Sequence, residues 1–88
     1  PAPLFVSTVF EEEDAELFES LRLLRKKLAD QLAIPAYIVL SDKTLHLLAL
    51  RKPETIEEFG EISGIGEFKK EKYGKEFLSV ISKHLYKN

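Results

Sequence analysis

Gly64 and Gly66 bracket a single isoleucine, and Lys69 and Lys70 follow about one helical turn along. A turn of this kind can leave backbone N–H groups uncommitted at the start of the next helix, and with lysines beside them such groups can hold a phosphate. The pattern excludes the two nucleotide-binding loops built on glycine. A dinucleotide fingerprint needs a third glycine where Lys69 stands, and a P-loop needs Gly-Lys followed by a hydroxyl residue, whereas Gly66 precedes Glu67. Glu67 also competes with a phosphate for the positive end of the helix dipole. The same residues have a purely architectural use: Gly64 in the left-handed conformation after a helix, Ile65 as a plug in the core, and Gly66 letting the next helix start close by.

Other side chains offer little reactive chemistry. His46 and His84 are the only histidines and the chain has no cysteine, so neither a thiolate nor a His-rich metal site can be composed. Ser41, Ser63, Ser79 and Ser82 have no base at a revealing spacing, and Glu57-Glu58 lacks the apolar surroundings that would raise a carboxyl pKa for acid catalysis. The expectation is a chain with no catalysis of its own, no metal and no cofactor.

The elements that must carry the glycine turn are helical. Leu17, Leu21, Leu24, Leu28 and Leu32 recur at steps of three and four with Phe18 beside them, the stripe of an amphipathic helix, with Asp14 as its cap. Pro35 ends it at or before Ile34. "IPAYIVLSD" then reads as a packed apolar loop, because a lone strand would find no partner in a helical chain. Ser41 or Asp42 caps a second helix to about Leu50, with Leu45, Leu48 and Ala49 inward. Thr55 and Glu58 form a capping box that opens a short third helix with Ile56, Phe59 and Ile62 on one side. "EFKKEKY" makes a fourth, and Gly74 separates it from a fifth along Phe77, Leu78, Ile81 and Leu85. The fold class expected is all-α, a small five-helix bundle, with residues 1–13 as a linker or extended arm and residues 14–88 as the domain.

Bulk composition agrees with one small domain. A chain of 88 residues with 44% hydrophobic residues can build a single core, and a net stability of about 4–13 kcal/mol is ordinary at that length. The absence of cysteine is compatible with a reducing cytosol. The chain starts on Pro1 without the basic, apolar start of a secretory signal, and has the look of an excised piece. No window reaches the roughly 20 apolar residues that span a bilayer, so a soluble monomer with no membrane partner is expected. A net charge of -2 gives no global attraction to nucleic acid, so binding must come from a local patch.

Taken in order, "LFESLRLLRKKLAD", "IPAYIVLSDKTL", "TIEEF", "SGIG" and "KYGKEFLSVISKH" resemble, in sequence and spacing, the HRDC domain found after the catalytic part of RecQ-type DNA helicases and in ribonuclease D. The likeness runs from about Asp14 to Leu85, and the tyrosine and "YGKEFL" look closer to the RecQ form. It implies a helical bundle that tunes how its parent helicase, a bacterial cytosolic or nucleoid enzyme, binds single-stranded or partly duplex DNA. It also implies contacts with other domains of that parent. The family's DNA-contacting tyrosine falls on Tyr37. An aromatic ring on a connector can stack on an unpaired base for about 1–3 kcal/mol, whatever the base; the ring can equally pack on the bundle with its hydroxyl in water. Arg22, Arg25 and Lys26 lie off the leucine stripe, and with Lys43 they can extend a basic strip toward Tyr37, with Lys69 and Lys70 as further phosphate contacts.

Acids run against a DNA-binding pattern. Residues 11–19 hold Glu11, Glu12, Glu13, Asp14, Glu16 and Glu19 without a base, and Glu54, Glu57, Glu58 and Glu61 form a second cluster. Both lie near helix starts, where acids stabilise by about 0.3–1 kcal/mol. The second cluster also fits an acidic face that docks on protein, either the parent enzyme or another partner, rather than on DNA.

Overall fold

The structure is a computed structural model that describes residues 14–87; the expected arm over residues 1–13 lies outside them. Five helices follow one another: α1, Ala15–Leu32; α2, Ala36–Val39; α3, Asp42–Arg51; α4, Ile56–Gly60; and α5, Gly66–Tyr86. No strand occurs among the described residues.

Local signals set most of the boundaries. Asp14 caps α1, its Oδ1 accepting from Leu17 N–H at 2.9 Å. The chain leaves α1 through Ala33 in the left-handed region (φ 57°), with Ile34 N–H donating to Ala29 O at 3.0 Å and Ala33 N–H to Asp30 O at 3.2 Å. That pair of bonds closes the helix in a Schellman turn. Ser41, rather than Asp42, caps α3, accepting from Thr44 N–H at 3.2 Å. Thr55 caps α4 through Glu58 N–H at 3.1 Å. The return arm of the expected box is displaced by one residue, since Glu58 Oε1 accepts from Glu54 N–H at 2.9 Å.

Two expected elements need correction. "AYIV" is a short helix rather than a loop, preceded by Pro35 in extended conformation (φ -63°, ψ 149°); its last residue Val39 and the following Leu40 are buried. Gly74 does not break the chain either. It lies inside the continuous 21-residue α5, buried where α4 crosses, and a Cβ there would stand 2.3 Å from Ile56 Cδ1 and 3.5 Å from the Phe59 ring. The missing side chain serves helix contact, which outweighs glycine's modest helix cost of about 1 kcal/mol.

Leu17, Leu21, Leu45, Leu48, Phe59, Phe77 and Ile81 are fully buried in one core, each contributing about 1.5–3 kcal/mol relative to exposure. Leu32, at the end of the stripe, and Ile56, expected inward on α4, are both exposed. A second anchor gathers three helices. Asp14 N–H donates to Ala49 O at 3.3 Å, and Asp14 Oδ2 shares a hydrogen bond with His84 Nε2 at 2.7 Å. The Leu17 N–H bond, and after it His84, hold the Asp14 carboxyl below its ordinary pKa.

The glycine turn is held by a hydroxyl relay. Ser41 Oγ donates to Thr44 Oγ1 at 3.1 Å, and Thr44 Oγ1 donates to Ser63 O at 2.9 Å. Gly64 (φ 95°) lies directly over Thr44, and a Cβ there would meet Thr44 Oγ1 at 2.2 Å. Ile65 is buried, as expected. Gly66 has nothing within 4 Å of its Cβ position, so it is its φ of 65°, not a close approach, that favours glycine. Gly64→Ala is expected to cost about 2–4 kcal/mol, from left-handed strain plus a broken buried hydrogen bond. Urea denaturation checks this, and a loss under about 1 kcal/mol would contradict the clamp.

Candidate nucleic-acid interface

The four residues of α2 divide their side chains between two sides. Val39 turns inward with Leu40 after it, and Tyr37 and Ile38 turn to solvent, Tyr37 with 68% of its surface exposed. The phenol ring therefore stands out from the bundle. Arg25 fixes the connector that carries it: Nη1 donates to Leu40 O at 2.8 Å and Nη2 pairs with Asp42 Oδ1 at 2.8 Å. Its side chain is only 11% exposed, and its buried Nε has no partner. Arg25 is thus bound up in joining α1 to the α2–α3 junction.

Beside α2 runs an open groove of about 340 Å³, lined by Arg22, Arg25, Lys26, Asp30, Ile34 and Pro35 among others. The structure brings together here the three basic residues read off α1 and the segment leading into Tyr37. Each cation has a local acid: Arg22 bonds Glu19, which lowers the Glu19 pKa and raises that of Arg22, and Lys26 meets Asp30 at 3.2 Å. These are exposed pairs of the kind that exchange partners at small cost. Lys43 is exposed in the first turn of α3 and has no ion pair among the described residues.

Lys69 and Lys70 sit apart from that groove, at the start of α5. Ile65 supplies no side-chain cap to this helix. Lys70 pairs with Glu67 at 3.1 Å, and its stem covers Gly60, where a Cβ would lie 2.5 Å from Lys70 Cδ. Through the Thr44–Ser63 hydrogen bond the start of α5 nevertheless shares one junction with the start of α3. Thr44 was not singled out by sequence reasoning, and its only local signal is a hydroxyl three residues after a capping serine.

The acidic cluster has its own face. Glu54, Glu57, Glu58 and Glu61 are all exposed, and Glu58 and Glu61 border an open groove of about 520 Å³ with Leu47, Arg51, Pro53 and Ile62. Tyr86 donates its hydroxyl to Glu54, a bond that raises the Tyr86 pKa. Neither histidine is free for chemistry: His84 is tied to Asp14, and the His46 ring stacks on Phe18 at 4.3 Å between centroids. Among the described residues no group of three His, Asp or Glu could hold a metal ion, and no helix is long and apolar enough to cross a membrane.

Residues 14–81 match the HRDC domain. The chain belongs to the HRDC domain family. It is 44% identical over 71 residues to the ATP-dependent DNA helicase RecQ of Pasteurella multocida, which covers 81% of this chain and 11% of that protein. It is 42% identical over 69 residues to RecQ of Bacillus subtilis, covering 78% of this chain and 12% of that protein. The chain thus spans about a tenth of the length of the curated relatives it matches. A solved structure, D. radiodurans RecQ HRDC domain 3, superposes with a TM-score of 0.79 at 39% identity over 82% of this chain and 95% of that one. The HRDC domain is an accessory domain of RecQ-type helicases, and the all-helical fold agrees with that of the D. radiodurans domain.

If Arg25 is mainly a latch, removing it should disturb the fold more than the charge pattern. Arg25→Ala is expected to lower the free energy of unfolding by about 1.5–3 kcal/mol, the usual worth of hydrogen bonds to a charged group. Lys26→Ala should stay within about 0.5 kcal/mol. Parallel urea melts compare the two, and equal effects would contradict the latch.

Proposed function

We propose that this HRDC domain is a non-catalytic accessory module of a RecQ-type ATP-dependent DNA helicase, tuning how the parent engages single-stranded or partly duplex DNA and which substrates it selects. In this reading it is a monomeric knob in the bacterial cytosol or nucleoid, working through weak contact with DNA and with the parent's other domains. Tyr37 stacks on an unpaired base. Arg22, Lys26 and Lys43 approach phosphates, Arg25 holds the connector while adding its charge to the groove, and Lys69 and Lys70 extend the positive potential around the glycine turn. The observation that carries the reading is an exposed Tyr37 on the short helix whose first residue, Ala36, lines the groove with Arg22, Arg25 and Lys26.

A second reading has an observation of its own. The exposed Glu54, Glu57, Glu58 and Glu61, two of them bordering a groove with apolar walls, suit a basic protein surface on the parent or on a partner. Under this reading, lysine substitutions at Glu57, Glu58 and Glu61 change the DNA affinity of the full parent; an unchanged affinity would count against it.

For the first reading, fluorescence titration of a labelled oligothymidine is the direct test. With about three phosphates neutralised, affinity should fall about 10- to 20-fold between about 50 and 200 mM salt. Tyr37→Ala should weaken binding at least about fivefold, whereas Tyr37→Phe retains it. No binding at low salt would remove the reading.

A further inference from the structure

Phe68 is the most exposed of the large apolar side chains among the described residues, at 71%, and stands in the first turn of α5. It belongs to no core contact, since the buried line of this helix runs through Tyr73, Phe77 and Ile81. Lys72 Nζ lies over its ring at 5.8 Å from the centroid, one turn further on. Phe68, Lys72 and Lys75 fall at i, i+4 and i+7, one exposed line on the helix, while Glu71 and Glu76 lie to its sides and Glu67 is paired with Lys70. An exposed ring with cations on its own line presents what a single strand needs: a flat apolar surface for a base and positive charge for the adjoining phosphates.

The placement ties this surface to Tyr37. Ser41 donates to Thr44 and Thr44 to Ser63 O, so the start of α3 and the glycine turn are fastened together. Tyr37 stands four residues before Ser41 and Phe68 five after Ser63, so each backbone lies within about 18 Å of the clamp even for extended chain. Two exposed aromatic residues are therefore each only a few residues along the chain from one fastened junction, as are Lys43 and Lys69.

We propose that Phe68, with Lys72 beside its ring, is a second base-stacking platform for single-stranded DNA. This rests on the DNA-binding reading above and adds a second ring to the footprint of its ligand. The bases stack on rings about the clamp, and the sugar-phosphate backbone passes Lys43, Lys69 and Lys72. A strand too short to reach both rings gains from one alone.

The chain has no tryptophan, so Phe68→Trp introduces a single reporter at the site. Oligothymidine added at low salt should quench its emission saturably, while Tyr86→Trp at the far end of α5 stays unquenched. Phe68→Ala should weaken binding of fluorescein-labelled oligothymidine at least about fivefold, with Phe68→Tyr close to the parent sequence and Lys72→Ala in between. Phe68→Ala binding as tightly as the unaltered chain, while Tyr37→Ala binds weakly, overturns this proposal and leaves the DNA reading standing. So does a Phe68→Ala chain that keeps its DNA affinity but loses contact with the rest of the helicase, which assigns the ring to protein docking. An unaltered chain that fails to bind oligothymidine at low salt overturns both.

Discussion

One buried hydroxyl decides how the two ends of the chain's middle section meet. Thr44 is the single polar residue buried among the described core residues, and it takes a hydrogen bond from Ser41 and gives one to Ser63 O. A buried hydroxyl without partners would cost about 1–3 kcal/mol, so the relay is part of the core rather than an ornament of it. It forces glycine at position 64, where any side chain would strike the threonine, and it sets where α5 begins. The start of α3 and the glycine turn that leads into α5 are therefore joined through this hydroxyl. Asp14, bonded to Leu17, Ala49 and His84, does the same work at the opposite side of the bundle.

Much of the fold was legible because its signals are local. Asp14, Ser41 and Thr55 announce helix starts within three residues of themselves, and the leucines of α1 repeat often enough for their period to be read. What was missed depends on partners distant in sequence. Gly74 looks like a breaker until α4 is laid across it, since nothing near it reveals that Ile56 and Phe59 need the space. Four residues of α2 are too few to show a helical period, and Ile-Val-Leu after proline resembles a strand. For the site, Tyr37 was legible through family likeness, but its exposure was not, because it depends on Val39 and Leu40 being the residues that turn inward. Arg25 looked like one more cation on a basic strip; its bonds to Leu40 O and Asp42 join segments 15 or more residues apart.

Charge is divided over this surface in a way its balance of -2 conceals. Basic residues that border the Tyr37 connector are countered by neighbours on their own helix, Glu19 and Asp30, through exposed pairs. The acids of α4 and the segment before it are gathered on one side, with Arg51 lining the same groove as Glu58 and Glu61. Under the DNA-binding reading, a phosphate backbone is repelled from the acidic side and attracted weakly to the other, which orients the contact. Weak, oriented contact is what an accessory domain tethered to a motor can use, because the tether supplies the effective concentration that its own few contacts do not.

The claim at the centre is that the α3–glycine turn junction, and not the acidic face, meets single-stranded DNA. Titrating oligothymidine into isotopically labelled chain and following amide and ring chemical shifts by NMR tests it most directly. The account predicts progressive shifts at residues 36–43 and 64–72 and at Arg22 and Lys26, with residues 54–61 still. Shifts centred on Glu54, Glu57, Glu58 and Glu61, or none at saturating strand in low salt, would contradict it.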